Sequence, residues 1–245
     1  MSRQDNLWFS VNGTSSADMG LRVLALPDVQ IAEARGRAVE IPGRDGALWL
    51  SDDSFKPVTH RIAFEIGGDA DIDAVAAWLS GGGKLVLSSF PDYYWRARII
   101  KGFDLQSGIY AGGNCRTEVA FSCEPFRYQV GDPSLPAITA ARAFSGGGTW
   151  PAKPVITVHG SGSMNLLVNG ATVLLDDIAP SITLDCDAMM AFKGSVNASP
   201  KVTILSDDGA WPTLVPGINT VSWSSVAGTA GSITSVVIQP NWRWR

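Results

Sequence analysis

Short strand-forming runs divided by turn residues dominate this sequence and restrict the folds open to it. Its 26 glycines and 14 prolines separate runs rich in β-branched and aromatic residues. Residues 60–66 alternate strictly, with Ile62, Phe64 and Ile66 on one face, as expected of a half-buried strand. The pattern predicts a mainly β protein.

One segment departs from this pattern and predicts a helix. Apolar residues recur at helical spacing between positions 72 and 79, Asp71 can cap the first turn, and three glycines at 81–83 stop the helix. Asp69, Asp71 and Asp73 also resemble the start of a calcium loop, but its glycine and distant glutamate are missing. We expect a short helix that packs on a sheet as a lid.

The character of the chain changes after Tyr128. Residues 129–136 carry two prolines and a glycine and are typical of a linker, and every glutamate precedes them. About seven short strands follow, and Asn169 and Gly170 favour a two-residue type I′ turn. We predict an α+β N-terminal domain of residues 1–130, β-sandwich-like with one short helix, and an all-β sandwich domain of residues 131–245.

Charge and hydropathy exclude several classes of function. The net charge of −4 provides no basic footprint for nucleic-acid recognition. The N-terminus lacks the apolar run of a signal peptide, and no stretch is long and apolar enough for membrane insertion, so we expect folding in the cytoplasm. The charged fraction, 17%, is low. Burial of the surface against copies or partners, or simply a Ser-, Thr- and Gly-rich β fold, would explain it.

The three cysteines predict neither a metal site nor a disulfide framework. Their number is odd and their spacing matches no metal-binding pattern, so three reduced, partly buried thiols are favoured. Cys115 and Cys123 could face each other across a hairpin, although a reducing compartment would leave them unpaired.

The residues required for catalysis are sparse. Only His60 and His159 could act as a histidine base; the Gly-Ser-Gly after His159 superficially resembles a nucleophile elbow, but no helix follows it. Asp185 and Asp187 would share a face of an extended strand, as a glycosidase pair could, yet acids near turns are usually solvated. We predict no catalytic residue, no cofactor and no metal site, and hence a protein that is not an enzyme.

Tryptophans in the second half of the chain supply an alternative function. Trp242 and Trp244 alternate along a final strand, and with Trp211 they are candidate contacts for a glycan or a partner. In that interpretation the protein is a carbohydrate-binding module that recognises host-surface glycans. Core packing or an intersubunit contact is the competing interpretation.

Several segments, taken together and in order, resemble the distal tail protein (Dit) family of siphophages. The most specific is the segment of residues 41–46, Ile-Pro-Gly-Arg-Asp-Gly, which resembles the loop joining the first strands of the family's domain. The opening strand at 9–13, the closing segment at 119–128 and the segments at 152–162 and 212–219 follow the family's order. The resemblance covers nearly the whole chain.

This resemblance implies a structural protein of the virion. Six N-terminal domains would close a homohexameric ring around a channel in line with the tail tube, with galectin-like C-terminal domains projecting outward. One ring face would meet the tail tube protein and the other the tail-tip hub or fibre protein, and receptor-binding proteins or baseplate parts would attach at the periphery. Such a protein is located at the phage tail tip and assembled in the host cytoplasm.

The loop that carries the resemblance is also a candidate subunit interface. It comprises Pro42, Gly43, Arg44, Asp45 and Gly46, and we call it the interface loop. Pro followed by Gly favours a tight turn, and the Arg and Asp side chains could pair across a subunit boundary. A plain hairpin turn is an equally open interpretation.

Overall fold

The computed structural model describes residues 7–67, 70–102, 115–206 and 209–245. The chain divides into two compact units, residues 1–130 with Arg245 and residues 131–244. The predicted fold class is confirmed: both units are built mainly of antiparallel β-sheet, and the described residues contain one α-helix.

The first unit contains nine strands in its described part. They are β1 (Phe9–Val11), β2 (Thr14–Ser15), β3 (Leu21–Ala25), β4 (Ala34–Glu40), β5 (Ala47–Phe55), β6 (Val58–Ile66), β7 (Gly83–Leu87), β8 (Phe90–Ile99) and β9 (Cys115–Gln129). A curled antiparallel sheet has the order β2-β1-β7-β8-β9-β6-β3, whereas β4 and β5 form a separate two-stranded sheet.

Alternation along the strands builds the core of this unit. On β6 the residues predicted to face inward are buried, and their neighbours lie on the outer face. The Phe9 ring lies 6.1 Å from the rings of both Phe64 and Phe121. Cross-strand ion pairs such as Arg61–Glu118, at 3.0 Å, occupy the outer face. The sheet therefore has one apolar face and one charged face, as antiparallel sheets commonly do.

The predicted helix is confirmed as α1 (Ile72–Ser80). The Asp71 side chain accepts a hydrogen bond from the Ala74 backbone N–H, at 3.0 Å, which caps the first turn. Val75 and Leu79 are buried. The Trp78 ring stacks on Phe9 at 5.4 Å and its indole N–H donates to a β1 carbonyl, so the helix covers the core as a lid. Asp69, of the calcium-loop interpretation, lies outside the described residues.

The second unit is a β-sandwich. Its strands are β10 (Arg142–Gly146), β11 (Val155–Gly162), β12 (Met164–Val168), β13 (Ala171–Leu175), β14 (Ser181–Asp185), β15 (Met190–Lys193), β16 (Val196–Asn197), β17 (Val202–Ile204), β18 (Gly217–Ser225), β19 (Gly231–Gln239) and β20 (Arg243–Trp244). Two five-stranded sheets have the orders β10-β18-β12-β13-β17 and β16-β15-β14-β11-β19. A short 3₁₀ helix covers Ser199–Lys201.

One buried cluster joins the two sheets of this unit. Leu166 and Val221 from the first sheet pack with Ile156 and Ile238 from the second, which is the layer arrangement of a galectin-like sandwich. The predicted turn between β12 and β13 is confirmed. Asn169 and Gly170 have φ of 49° and 89°, as a type I′ turn requires.

The three thiols are free and are buried more fully than predicted. Burial raises the pKa of both Cys123 and Cys186 to about 12, so neither is a reactive thiolate. The suggestion that Cys115 and Cys123 face each other across a hairpin is wrong, because both lie on β9. No helix in the described part of the chain is long and apolar enough to cross a membrane.

The placement of Asp185 and Asp187 on one face of a strand is also wrong. β14 ends at Asp185, and its carboxylate accepts hydrogen bonds from the backbone N–H groups of Asp187 and Ala188, both at 3.0 Å. Asp187 itself lies 3.2 Å from the ammonium group of Lys153. The pair closes a turn because a short acid at a strand end competes well for backbone donors.

Candidate functional site

The strongest candidate site is the two-stranded sheet of the first unit, residues 34–55, which we call the exposed hairpin. Its register pairs Arg37 with Leu50, Ala38 with Trp49 and Val39 with Leu48. The described residues supply no third strand to either edge. An isolated two-stranded hairpin is only marginally stable in water, so this element lacks the support that sheets normally receive.

The interface loop connects the two strands of the exposed hairpin. The Arg44 backbone N–H donates to the Ile41 carbonyl at 3.1 Å, and Gly43 has φ of 82°. With Pro42 in the second position, this is the geometry of a type II turn, in which the third position needs positive φ. The Pro-Gly pair therefore explains why the chain reverses at this point.

All five residues of the interface loop are exposed. Within the described residues the Arg44 guanidinium and the Asp45 carboxylate form no ion pair or side-chain hydrogen bond. The structure places the loop residues together at the end of the hairpin, where the charged groups of Arg44 and Asp45 are exposed to solvent. Their pairing across a subunit boundary stays a prediction.

Large apolar side chains are exposed on and beside the exposed hairpin. Trp49 is 55% exposed, and Leu48, Leu50 and Ile41 are exposed as well. Ile31, just before β4, is 73% exposed. Leu48 and Leu50 share one face of β5 and Trp49 lies on the other, so both faces of the hairpin carry exposed apolar side chains, and exposed apolar surface often marks an interaction site.

The Trp49 ring packs against the opposite strand at Gly36, which has no side chain to keep the ring away. A Cβ atom built on Gly36 would lie 2.6 Å from two atoms of the Trp49 ring and 2.7 Å from the Leu50 carbonyl oxygen. The indole therefore covers the backbone of β4 directly. This contact presents a large aromatic group in a defined position at low cost in side-chain entropy, as interface anchors do.

The base of the exposed hairpin is fastened to the first unit. Phe55 is buried, and its ring meets the edge of Phe126 at 5.7 Å. The Asp52 carboxylate accepts hydrogen bonds from the Ser54 hydroxyl and the Ser54 backbone N–H, and these bonds hold the bulge near the end of β5 in place. The same hydrogen bonds lower the pKa of the Asp52 carboxyl. The hairpin is thus anchored at one end and solvated along the rest of its length.

The candidate tryptophans do not form a shared exposed platform. Trp242 is 8% exposed and belongs to the sandwich core, where Gly147 approaches its ring so closely that a Cβ would lie 3.3 Å away. Trp211 and Trp244 are partly buried against the same core. Trp211 lines an open cleft of about 560 Å³, together with residues 169–172 and Thr213.

The two histidines occupy unrelated places, and among the described residues neither has the side-chain hydrogen-bond partners of a catalytic base. His60 is 1% exposed, both ring nitrogens lack hydrogen-bond partners, and burial lowers its pKa to about 4. His159 lies within β11, where its carbonyl accepts a hydrogen bond from the Thr234 hydroxyl. Among the side chains that the structure describes, no group of three His, Cys, Asp or Glu residues could hold a metal ion.

Sequence reasoning found the interface loop but missed the apolar residues beside it. The signal was present in the segment Ala-Leu-Trp-Leu at 47–50, which follows a Pro-Gly turn and matches the strand-length segment before it. A pattern of strand residues predicts burial, however, and says nothing about the exposure of Trp49.

No family model matches the chain, and no curated protein matches it. Among solved structures, it is similar to the crystal structure of the SPP1 Dit (gp 19.1) protein, described as a paradigm of the hub adsorption apparatus in phages infecting Gram-positive bacteria. The TM-score is 0.66 at 15% sequence identity, over 95% of this chain and 97% of the other. The two chains share a fold along nearly their whole length.

Proposed function

We propose that this chain is a structural subunit of the hub at the distal end of a phage tail. Copies assemble into a homohexameric ring that joins the tail tube protein to the tail-tip hub or fibre protein. Receptor-binding proteins attach at its periphery. Two observations support the proposal: the family resemblance of the sequence and the shared fold with a hub adsorption protein.

The exposed hairpin is the observation that carries the assembly part of this proposal. It extends unpaired strand edges and the Trp49 side chain into solvent, although such edges and apolar groups are usually covered. A hairpin that inserts into a different surface of the next copy makes a heterologous contact, and a repeated heterologous contact forms a ring when the rotation between neighbouring copies closes after a whole number of copies. Six copies is the number that the family resemblance implies.

Sedimentation velocity and negative-stain electron microscopy of the purified chain test the proposal directly. We expect a mass near six times 26.0 kDa, or a concentration-dependent approach to it, together with ring-shaped particles. A chain that stays monomeric at high concentration and shows no rings would contradict assembly.

A substitution in the exposed hairpin tests whether this element mediates the assembly. Trp49→Glu places a charge at an exposed position, so we expect a folded chain whose association weakens at least about tenfold, as loss of a central aromatic anchor typically causes. Ile218→Glu is the matched control, because Ile218 is 77% exposed on β18 of the second unit. Equal association of the two variants would show that the exposed hairpin is not part of the interface between copies.

The cleft beside Trp211 favours carbohydrate binding as a second candidate function. Its lining combines an indole with the polar groups of Asn169, Thr172 and Thr213, and sugar rings are bound by stacking together with hydrogen bonds. A glycan array with the intact chain tests this candidate, with Trp211→Ala as the variant and Trp49→Ala as the control. Binding lost only in Trp211→Ala supports it, and an array without any bound glycan contradicts it.

A further inference from the structure

Four basic side chains lie close together in the first unit. Lys84 on β7 lies directly opposite Arg96 on β8, and Arg98 follows two positions further along β8 on the same face. Arg35, on β4, lines the same cleft as Arg96 and Arg98. We call these four residues the basic surface. The fold thus concentrates positive charge at one place on a chain whose net charge is −4.

Two clefts open along the basic surface and share Arg96, Arg98 and Glu124 in their linings. The first, of about 290 Å³, also includes Lys84, and the second, of about 260 Å³, also includes Arg35. Each lining therefore contains three basic side chains and one acidic side chain. A ligand that fills either cleft meets a surplus of positive charge.

Aromatic rings hold two of the bases in place. The Lys84 ammonium lies 4.8 Å from the centre of the Tyr94 ring, and the Arg96 guanidinium lies 4.4 Å from that of Tyr128. These two rings stack on each other at 5.4 Å. Contacts between cations and ring faces of this kind orient the charged groups without neutralising them.

Two acids of the same copy lie beside the basic surface without balancing its charge. The Glu124 carboxylate lies 3.6 Å from the Arg96 guanidinium. The pKa of Asp52 is lowered mainly by hydrogen bonds from Ser54 and further by the charge of Arg35, which places this acid near the basic surface. Four bases therefore face two acids.

Two of the four bases form no ion pair among the described residues, and the other two repel each other. Arg35 and Arg98 are exposed, and within the described ranges neither forms a side-chain hydrogen bond. Lys84 and Arg96 lie directly opposite each other, and like charges in this position destabilise a sheet. A negatively charged ligand would pair with the first two groups and relieve the repulsion between the other two.

Apolar groups stand beside these charges. The second cleft is lined by apolar side chains from four residues, Phe55, Pro57, Ile100 and Pro125. Ile100 is 68% exposed, so this wall is open to a ligand. A small inorganic anion makes no use of an apolar wall. A peptide segment, in contrast, presents carboxylates and apolar side chains next to each other.

We infer that the basic surface is a docking site for an acidic, partly apolar segment of another protein of the tail. This inference rests on the proposed function for the class of partner, and charge complementarity supplies the chemistry. The two resident carboxylates repel a doubly charged group such as phosphate more strongly than a side-chain carboxylate, which carries one charge and binds a guanidinium through two parallel hydrogen bonds. The exposed hairpin of a second copy does not fit, since three arginines accompany its four acids.

Fluorescence anisotropy with a synthetic peptide tests the inference on the full chain. The probe is a labelled hexapeptide in which glutamate and leucine alternate, and its control peptide has glutamine in place of each glutamate. We expect the glutamate peptide to bind at low salt, more weakly at physiological salt, and at least about fivefold more tightly than the glutamine peptide. Equal binding of the two peptides, or binding of neither, would overturn the inference.

Charge reversal identifies the surface that binds the probe. Arg98→Glu changes an exposed side chain that lines both clefts, so we expect a folded chain that binds the glutamate peptide about fivefold more weakly or worse. Arg98→Lys keeps the charge and should retain most of the binding. Arg142→Glu, an exposed arginine on β10 of the second unit, changes the net charge equally and should bind like the wild-type chain. Circular dichroism verifies the fold of each variant, and equal losses in Arg98→Glu and Arg142→Glu would overturn the inference.

Competition distinguishes a peptide segment from other anions. Unlabelled glutamate peptide should displace the probe, whereas inorganic phosphate at the same concentration should displace much less of it. Phosphate that competes as well as the peptide would show a general anion site and overturn the peptide as the occupant. A single-stranded oligonucleotide that competes better than the peptide would assign the surface to nucleic acid and would also overturn the inference.

The outcomes separate this inference from the proposed function. A chain that forms rings but does not bind the glutamate peptide overturns the docking site and leaves the hub proposal standing. A chain that binds the peptide through Arg98 but never associates supports the docking site and contradicts the ring.

Discussion

Two hairpins of this chain differ in almost everything except their topology. In the hairpin β12–β13 of the second unit, buried and half-buried residues alternate along both five-residue strands. In the exposed hairpin of the first unit, most residues of both strands are exposed. The first turns through Asn169 and Gly170, and the second turns through the longer interface loop.

The difference lies in the neighbours rather than in the hairpins themselves. β12 pairs with β18, β13 pairs with β17, and their inner residues enter the sandwich core. The exposed hairpin has neither a third strand nor a covered face among the described residues. The contrast teaches that a hairpin without support inside its own chain points to support from another chain, as we propose for this one.

Truncation of a leucine in each hairpin should give the largest difference between the two hairpins in the free energy of unfolding. Leu166, on β12, is fully buried, so Leu166→Ala should lower the free energy of unfolding by about 3 kcal/mol through lost burial and a cavity. Leu50→Ala, on the exposed hairpin, should change it by less than about 0.5 kcal/mol in the dilute chain. Urea unfolding measures both, and equal losses would show that the exposed hairpin is packed within one copy.

Acid should weaken the unit that carries the exposed hairpin through His60. The folded-state pKa, about 4, lies below the ordinary 6.5, so the folded state binds fewer protons in this range. Stability should be constant above pH 6.5 and decrease as the pH falls toward 4. The full loss is about 3 kcal/mol, since each pKa unit corresponds to about 1.4 kcal/mol.

The variant His60→Leu checks the acid response. It removes two buried ring nitrogens without partners, so the pH-dependent loss should be absent and the stability at pH 7 should be no lower than that of the wild-type chain. Urea unfolding at pH 7 and at pH 4.5 gives both values. An acid loss of the same size in His60→Leu would assign the effect to other groups.

Glycine substitutions should sharpen the contrast between the two hairpins. Gly170 has φ of 89°, so Gly170→Ala strains a tight turn and should cost about 1 kcal/mol. Gly36→Ala instead places a Cβ 2.6 Å from the Trp49 ring and 2.7 Å from the Leu50 carbonyl oxygen, so both the ring and the pairing of β4 with β5 must shift, and we expect a disruption that stays within the exposed hairpin. Tryptophan fluorescence and urea unfolding separate the two responses. A large loss of stability in Gly36→Ala would contradict the proposed independence of the exposed hairpin.

The ion pair beside the exposed hairpin should have the smallest effect. The Lys56 ammonium lies 2.8 Å from the Glu33 carboxylate, and both side chains are more than half exposed. Lys56→Ala should therefore lower stability by less than about 0.5 kcal/mol at physiological salt. Thermal unfolding with and without added salt measures this. A larger, salt-sensitive loss would mean that the ion pair holds the hairpin in place.

Local signals in the sequence predicted the elements that depend on neighbouring residues. Helix α1 was predicted from its apolar spacing, its Asp71 cap and its terminal glycines, because capping and amphipathic packing act within a few residues. The β12–β13 turn was predicted for the same reason, since Asn169 and Gly170 tolerate positive φ. The alternation on β6 likewise predicted its buried face.

Features that depend on distant contacts could not be predicted in this way. The burial of Trp242 in the sandwich depends on close approach of the glycine-rich segment almost a hundred positions earlier. The cysteines at 115 and 123 could be assigned to one strand only once the long β9 was known. Lys84 and Arg96 lie directly opposite each other only because of the register between β7 and β8, and no local sequence pattern gives that register.

The sequence by itself determined that this chain is mainly β, that its helix lies at 72–80, and that a tight Pro-Gly turn lies in the interface loop. These follow from backbone preferences and short-range periodicity, which are written in adjacent residues. Only the tertiary structure decided that the two strands around this loop pair with each other and with no further strand among the described residues, and that Trp49 is exposed while Trp242 is buried. Exposure depends on which distant segments cover a residue, and the same strand pattern serves a covered hairpin and an uncovered one.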